Sequence, residues 1–243
     1  MSISIIIPTL NEQKTLYKTL TQIKYLSQKY IKNTDYEIII IDDNSIDSTF
    51  EEFKRFEKDN NLNNFFFYKN QTGPSLSKSI KYGVSLSKLD YIACIDADLS
   101  FDPKYIFQNL SLMKTYDFIN FSRYLIKGSD QRTIKNTGLL KYFSFIINKS
   151  MKILFSSLIT DFTSGFFISR TEIIKNYQFK GNYGEYYMFL ISKIIISKYK
   201  IKELPIKFYD RFAGESKTGR AFTNISSKGM PYIKALVEII LKK

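Results

Sequence analysis

Apolar residues recur along the chain in short runs that end in polar clusters, and segments of helical period follow most of them. Ile3 to Ile7 is a strand closed by Pro8. Thr9 to Glu12 form a loop into a helix over Gln13 to Tyr30, with Leu16, Leu20, Ile23 and Leu26 as its inward stripe. Tyr36 to Ile41 is a nearly continuous apolar strand ending in Asp42-Asp43-Asn44-Ser45, and Ser48 with Glu51 has the spacing of a capping box at the next helix. Asn64 to Tyr68 is a third strand, and Gly73-Pro74-Ser75 breaks the chain before a helix to Leu86. Tyr91 to Asp96 is a fourth, followed by Asp102 as N-cap and Pro103 at the first helical position. Phe118 to Ser122 is a fifth, ending at Arg123. Alternating strands and helices predict an α/β fold, a mostly parallel, Rossmann-like sheet with helices on both faces.

The pattern changes beyond Gly128. Leu139 to Ile159 mixes bulky apolar residues with Lys141, Lys149 and Lys152, as one or two amphipathic helices at a membrane surface would; an ordinary core-facing helix pair accounts for it equally well. Asp161 to Arg170 is a polar turn entering a strand, and Tyr183 to Tyr199 a helix with an apolar side. Lys202 to Tyr209 is an edge strand, because Pro205 has no N–H for a ladder. A charged loop, Asp210 to Lys217, precedes a last amphipathic helix over Asn224 to Leu241.

In parallel sheets, ligands bind at the carboxyl ends of strands, where Glu12, Asp43, Asp96, Asp98 and Arg123 all fall. Alternation along the fourth strand projects Asp96 and Asp98 to one side, where both can reach a hard cation such as Mg²⁺ or Mn²⁺. Taken alone, D-x-D also serves simply to end a strand and cap a turn.

Composition narrows the chemistry. The 243 residues contain no histidine and one cysteine, Cys94 inside an apolar strand. Histidine bases, His-containing triads and cysteine metal sites are therefore excluded. The net charge of +13 suits an anionic partner, although lysine is abundant throughout. Arginine is scarce: Arg55, Arg123, Arg132, Arg170, Arg211 and Arg220. In such a chain, an arginine can mark a bidentate phosphate clamp. No signal peptide and no apolar run of membrane-spanning length are legible, so the expected location is cytoplasmic, peripheral on the cytosolic face of a membrane.

The segments IIIPTLNE, EIIIIDDNSIDST, YIACIDADLSFDP, FSRY, DFTSGFF and ELPIKFYDRFAGESKTG, in this order, carry a resemblance. The chain resembles family 2 glycosyltransferases of the GT-A fold, and within them the dolichol-phosphate mannose synthases. DAD is moderately specific and DRFAGESK highly so. The resemblance implies one catalytic domain over 1–243, with amphipathic interface helices at 139–160 and 223–241 and no transmembrane domain. It implies that Pro8, Leu10, Glu12, Ile41 and Asp43 line the nucleotide pocket. Asp96, Ala97, Asp98 and Ser100 would surround a Mg²⁺ or Mn²⁺ ion and the diphosphate, with Asp96, Asp98 and Ser100 as metal residues. Arg123, Arg211 and Lys217 would bind donor and acceptor phosphates, assisted by Arg132, and Asp96, Asp98, Arg123, Arg211 and Lys217 form the implied catalytic set. The family usually has Tyr at Leu10, Gly at Asn44 and a glycine-rich loop at Gly73 to Ser77, all on the nucleotide side.

The implied reaction moves mannose from GDP-mannose to a polyprenyl or dolichyl monophosphate with inversion, at a membrane surface and in company with a possible membrane-anchored partner. UDP-glucose or UDP-N-acetylglucosamine is the alternative donor. A basic nucleic-acid-binding domain is the reading from another class; it lacks an RNA-binding signature and leaves the acidic strand ends unexplained, so no nucleic-acid partner is expected. An inactive scaffold that keeps only the fold is disfavoured by the intact loops.

Overall fold

The structure, a computed structural model, describes residues 1–31, 35–127, 129–155, 159–212 and 229–242, without side chains for 134–140. Seven strands form one sheet: β1 (Ile3–Thr9), β2 (Tyr36–Asp42), β3 (Phe65–Lys69), β4 (Tyr91–Cys94), β5 (Phe118–Ser122), β6 (Phe167–Arg170) and β7 (Ile201–Pro205). Their order is β3-β2-β1-β4-β6-β5-β7. The paired strands run parallel except at β6, which is antiparallel to β4 and β5. The carboxyl ends of the other six strands therefore share one rim with the amino end of β6. The mixed α/β fold expected from the apolar pattern is present, and β7, whose last residue is Pro205, is an edge strand.

The helices are α1 (Leu16–Tyr30), α2 (Thr49–Asn60), α3 (Leu76–Leu86), α4 (Lys104–Asn109), α5 (Ile134–Phe155), α6 (Thr171–Lys175), α7 (Tyr186–Ile196) and α8 (Met230–Lys242). Strand alternation divides the core between two layers. Ile3, Ile5 and Ile7 of β1 face Leu16, Leu20 and Ile23 of α1 and Phe53 and Phe56 of α2. Ile6 faces the opposite layer with Ile80 and Val84 of α3, Met151 of α5 and Leu190 of α7. At Gly83 the approach is so close that a Cβ would lie 2.7 Å from Ile6 Cγ2.

Local chemistry moves several expected boundaries. The helix expected from Gln13 begins at Leu16, after a turn in which Thr15 Oγ1 donates to Glu12 Oε2 at 2.7 Å. The capping box at Ser48 is absent; Asp47 Oδ1 instead accepts from the Thr49 N–H at 3.1 Å. Asp102 does act at the head of α4, where its Oδ1 accepts from the Lys104 N–H at 2.9 Å.

The Leu139 to Ile159 stretch contributes to a single helix, α5, of 22 residues. Phe143 meets Tyr232 of α8 edge-on, with ring centroids 6.4 Å apart. Among the described side chains of α5, Tyr142, Phe145, Ile146, Lys149, Lys152 and Ile153 are exposed, and in α8 Met230, Ile233, Lys234, Val237, Ile240 and Leu241. Both sets follow the helical spacing of one face. Ile147 and Met151 lie in the core, as a core-facing helix requires, and an apolar, basic stripe lies outside. Among the described residues no helix is long and apolar enough to cross a membrane.

Candidate active site

Beyond β4 the chain turns. Ile95 still donates its N–H to Ile6 O at 3.1 Å, but Ala97 and Asp98 lie in the turn and Leu99 has φ of +61°. Strand alternation therefore does not set the directions of Asp96 and Asp98. Asp98 sets its own: its Oδ1 accepts from the N–H and hydroxyl of Ser100 at 2.9 and 2.6 Å. A leucine in the left-handed region is uncommon and costs of order 1–3 kcal/mol, and the Asp98–Ser100 bonds hold it there. Asp98 is buried, Asp96 half-buried. Ser100 is 1% exposed, so its hydroxyl sits behind Asp98 and orients that carboxylate. Ala97 is buried too, and its carbonyl accepts from Thr19 Oγ1 at 2.8 Å.

A segment from the far edge of the sheet comes back over this turn. After β7, Phe208 bridges Phe101 and Asp130, Tyr209 donates its N–H to Ser100 O at 3.1 Å, and Phe212 donates to Asp98 O at 3.2 Å. Arg211 Nε then lies 3.1 Å from Asp98 Oδ2, and its Nη1 3.3 Å from Glu12 Oε1. Burial alone would lower the pKa of this guanidinium, but the charges of Asp98, Asp96 and Glu12 outweigh it and the pKa is raised. Lys18 Nζ sits 3.7 Å above the Phe212 ring and adds to the anchorage. Lys217 lies outside the described residues.

The loops after β1 and β2 are tied together. Asn11 N–H donates to Ser45 Oγ at 2.8 Å, Ile46 N–H to Asn11 Oδ1 at 2.9 Å and Glu12 N–H to Thr49 Oγ1 at 2.8 Å. Asn44, where the resembled family usually has glycine, has φ of +66°, a conformation asparagine tolerates better than most residues. Asp43 Oδ1 accepts from Asn70 Nδ2 at 2.8 Å, the Ser75 N–H at 3.0 Å and Ser79 Oγ at 2.7 Å. Leu10 is half-buried at this end of β1. Pro8 and Ile41 are register partners in the sheet, both buried, and Ile41 is 0% exposed. The burial covers the whole residue, so Ile41 supports the pocket end of β2 from within the sheet and presents no surface of its own for the lining role expected of it.

Arg123 departs from the expected clamp. Its Nε and Nη2 bind Asp161 Oδ2 and Oδ1, each at 2.8 Å, and Nη2 also reaches Thr163 Oγ1 at 2.7 Å. The bidentate edge formed by Nε and Nη2 is filled by Asp161, and both partners are buried. Arg132 is similarly joined to Asp130, at 3.0 and 2.7 Å. Both guanidinium groups lie about the Phe208 ring, 5.2 and 5.0 Å from its centroid. Sequence reasoning gave Asp161 and Asn70 no role; a buried acid in a polar turn and an asparagine ending a strand are too common to stand out.

The rim thus gathers Glu12, Asp96 and Asp98 around Arg211. Among the described residues no three acidic, histidine or cysteine side chains form a ready cage for a metal ion. Hard oxygen donors from Asp96 and Asp98 nevertheless fit a divalent cation whose remaining ligands are water and phosphate.

A profile of glycosyl transferase family 2 matches residues 4–178. The chain belongs to glycosyl transferase family 2. Among curated relatives of this family 2 member, the dolichol-phosphate mannosyltransferase of Pyrococcus furiosus is 27% identical over 89% of the chain, which spans 59% of that relative's length. A poly-beta-1,6-N-acetyl-D-glucosamine synthase of Staphylococcus aureus is 32% identical over 44% of the chain and 25% of its own. In fold, the family 2 chain is similar to glucosyl-3-phosphoglycerate synthase of Mycobacterium tuberculosis, crystallised with Mn²⁺, UDP and phosphoglyceric acid. The TM-score is 0.75 at 14% identity, over 98% of this chain and 78% of that one. The fold is GT-A.

Proposed function

We propose that this chain is an inverting, metal-dependent glycosyltransferase that moves mannose from GDP-mannose to a polyprenyl or dolichyl monophosphate, giving a β-linked lipid-phosphate sugar. The observation that carries the reading is Arg211 reaching Asp98 and Glu12 at once, because it joins the DRFAGESK segment of the resembled synthases to the D-x-D turn. Asp96 and Asp98 would hold Mg²⁺ or Mn²⁺, and that ion would offset charge on the departing diphosphate. Ser100 orients Asp98. Glu12, Asp43 and Leu10 would receive the nucleotide, with Pro8 and Ile41 holding the ends of β1 and β2 beside them. Arg211, Lys217 and Arg132 would meet phosphates, whereas Arg123 acts through Asp161 to position the end of β5. Residues 1–243 would work as one catalytic domain.

A phosphate acceptor is already an anion near neutral pH and attacks the anomeric carbon without surrendering a proton. A hydroxyl acceptor needs a base. The chain has no histidine, and at the rim Asp98 Oδ1 is held by hydrogen bonds from Ser100 in its own turn and Asp43 Oδ1 by hydrogen bonds from Ser75 and Ser79 at the head of α3. That supports the phosphate. The outer faces of α5 and α8 would rest on the cytosolic side of a membrane, where such an acceptor resides. UDP-glucose or UDP-N-acetylglucosamine remains a second donor reading, favoured by the departures at Leu10 and at Gly73 to Ser77 on the nucleotide side.

The test is direct. Purified protein is incubated with Mn²⁺, polyprenyl phosphate and, in separate reactions, radiolabelled GDP-mannose, UDP-glucose or UDP-N-acetylglucosamine. Label in the organic phase with GDP-mannose, lost in Asp98→Ala, is the expected result. Transfer from a UDP-sugar alone would replace the donor, and no transfer from any would refute the reading.

A further inference from the structure

Asp98 has two oxygens with different commitments. Oδ1 is taken up by its own turn, through the N–H and hydroxyl of Ser100. Oδ2 is the oxygen directed to the rim, and there the Arg211 guanidinium holds it at 3.1 Å while reaching Glu12 Oε1 at 3.3 Å. A divalent cation that approaches Asp98 must therefore meet a fixed positive charge at the same oxygen. Like charges at contact distance repel, and the repulsion is strong where burial limits screening.

The approach also offers an ion no preformed cage: among the described residues no three acidic side chains close into one, so protein oxygens alone give the ion few ligands. A diphosphate would change both terms. It would supply oxygens to the cation and, at the same time, an anion to which a guanidinium displaced from Asp98 could turn, with the bidentate geometry arginine favours. Arg211 is suited to such a move, since it is half-exposed and its backbone neighbour is separately anchored by the Phe212 N–H to Asp98 O.

We propose that Arg211 and the divalent cation exclude one another at Asp98 Oδ2, so that Arg211 makes ion binding conditional on the nucleotide diphosphate. This deepens the metal-dependent reading above and rests on it. Arg211 is here a positioning residue with two stations, Asp98 and the diphosphate. The consequence is an order: the ion enters with the nucleotide rather than ahead of it, and the enzyme does not retain a bare cation between turnovers. A lysine in its place keeps the charge but loses the fork, and a glutamine keeps hydrogen bonding but loses the charge.

The experiment measures ion binding rather than catalysis. Free aqueous Mn²⁺ is followed by its electron paramagnetic resonance signal during titration of wild-type protein, Arg211→Gln, Arg211→Lys and Asp98→Ala, each with and without GDP or UDP. The expected result is that Arg211→Gln binds Mn²⁺ alone at least about tenfold more tightly than wild type, while Arg211→Lys stays close to wild type. The enhancement of Mn²⁺ binding by nucleotide should shrink in Arg211→Gln, and Asp98→Ala should remove binding in both conditions. Unchanged or weaker Mn²⁺ binding by Arg211→Gln in the absence of nucleotide overturns the proposal while leaving the metal site intact. If wild type binds no Mn²⁺ even with nucleotide, the metal-dependent reading falls and this inference with it. Circular dichroism of each variant checks that the fold persists, and Arg211→Lys supplies a second, charge-preserving comparison should Arg211→Gln be poorly folded.

Discussion

Replacing Asp161 with asparagine removes the counter-charge of the most deeply buried ion pair described in this chain. Asp161 is 0% exposed and Arg123 6%, and the carboxylate accepts from the Arg123 N–H at 3.0 Å, from Nε and Nη2 at 2.8 Å each, and from the Thr163 N–H at 3.0 Å. Burial alone would pull the Arg123 pKa down, yet Asp161 holds it above its ordinary value. Asparagine keeps one acceptor oxygen but presents an NH₂ to donors at the other and leaves the guanidinium uncompensated. Loss of one partner from such a pair costs about 3–5 kcal/mol, most of it the penalty of the stranded charge. Equilibrium urea denaturation followed by far-ultraviolet circular dichroism should show a loss in that range. Arg123→Met should also destabilise, and it should affect transfer through folded population rather than through the KM for donor. A cost below about 1 kcal/mol for Asp161→Asn, or a stable Arg123→Met protein with a raised KM, would refute the structural assignment and restore Arg123 as a phosphate ligand.

Three further outcomes follow from separate features. Gly83→Ala should cost about 1–3 kcal/mol in thermal denaturation, since the new Cβ would meet Ile6 Cγ2 at 2.7 Å and either the fully buried Ile6 side chain or α3 must shift. The Asp130 carboxyl pKa is lowered below 3.8, because hydrogen bonding and charge from Arg132 outweigh the opposing effect of burial. Its contribution is therefore complete above its unfolded value and is lost as pH falls through the folded one; Asp130→Asn should be less stable than wild type at neutral pH, with the gap closing once the pH falls below the ordinary carboxylate range. On the outer faces of α5 and α8, Ile153→Glu combined with Ile240→Glu should reduce flotation with phosphatidylglycerol vesicles by at least about tenfold. Unaltered flotation of that double variant would exclude this face as the membrane contact.

Most of the architecture was legible because it follows from periodicity. Short apolar runs such as Phe118 to Ser122 could only be buried strands, and Pro205 consigned its strand to an edge. What periodicity does not carry is what side chains do once the ladder stops. Asp96 and Asp98 were expected to share a side by strand alternation, whereas the turn at Ala97 and the positive φ of Leu99 set their directions. The reversal of β6 was also hidden, since a strand's pattern does not state its direction. It matters because it brings Asp161, at the entry to β6, beside the end of β5, and so gives Arg123 a partner that a parallel arrangement would have sent to the opposite edge. The scarcity of arginine picked out Arg211 and Arg123 alike, but only the geometry separates a guanidinium at the open rim from one locked beneath it.

The strand order also explains why the site needs the end of the chain. β7 lies three steps from β4, across β5 and β6, or about 14 Å at the usual spacing between strands. Residues Ile206 to Arg211 can span about 20 Å when extended, enough to cross with a bend at Phe208, where the chain bridges Phe101 and Asp130. Having crossed, the backbone at Phe212 is at β4, and the Arg211 side chain covers the last step to Glu12 beyond β1. Glu12 and Asp98 follow strands that are neighbours in the sheet but lie far apart in sequence, and the strap that joins them is fixed in length by the width of the strands it passes. A positive charge from any nearer segment would have had to come from the loops after β1 or β4, and in the rim portions of those loops, Leu10 to Glu12 and Asp96 to Asp102, there is neither lysine nor arginine. The acidic rim and the basic strap are thus complementary by topology: the sheet puts the carboxylates together, and among the described residues the segment after its last strand brings Arg211 to both Asp98 and Glu12.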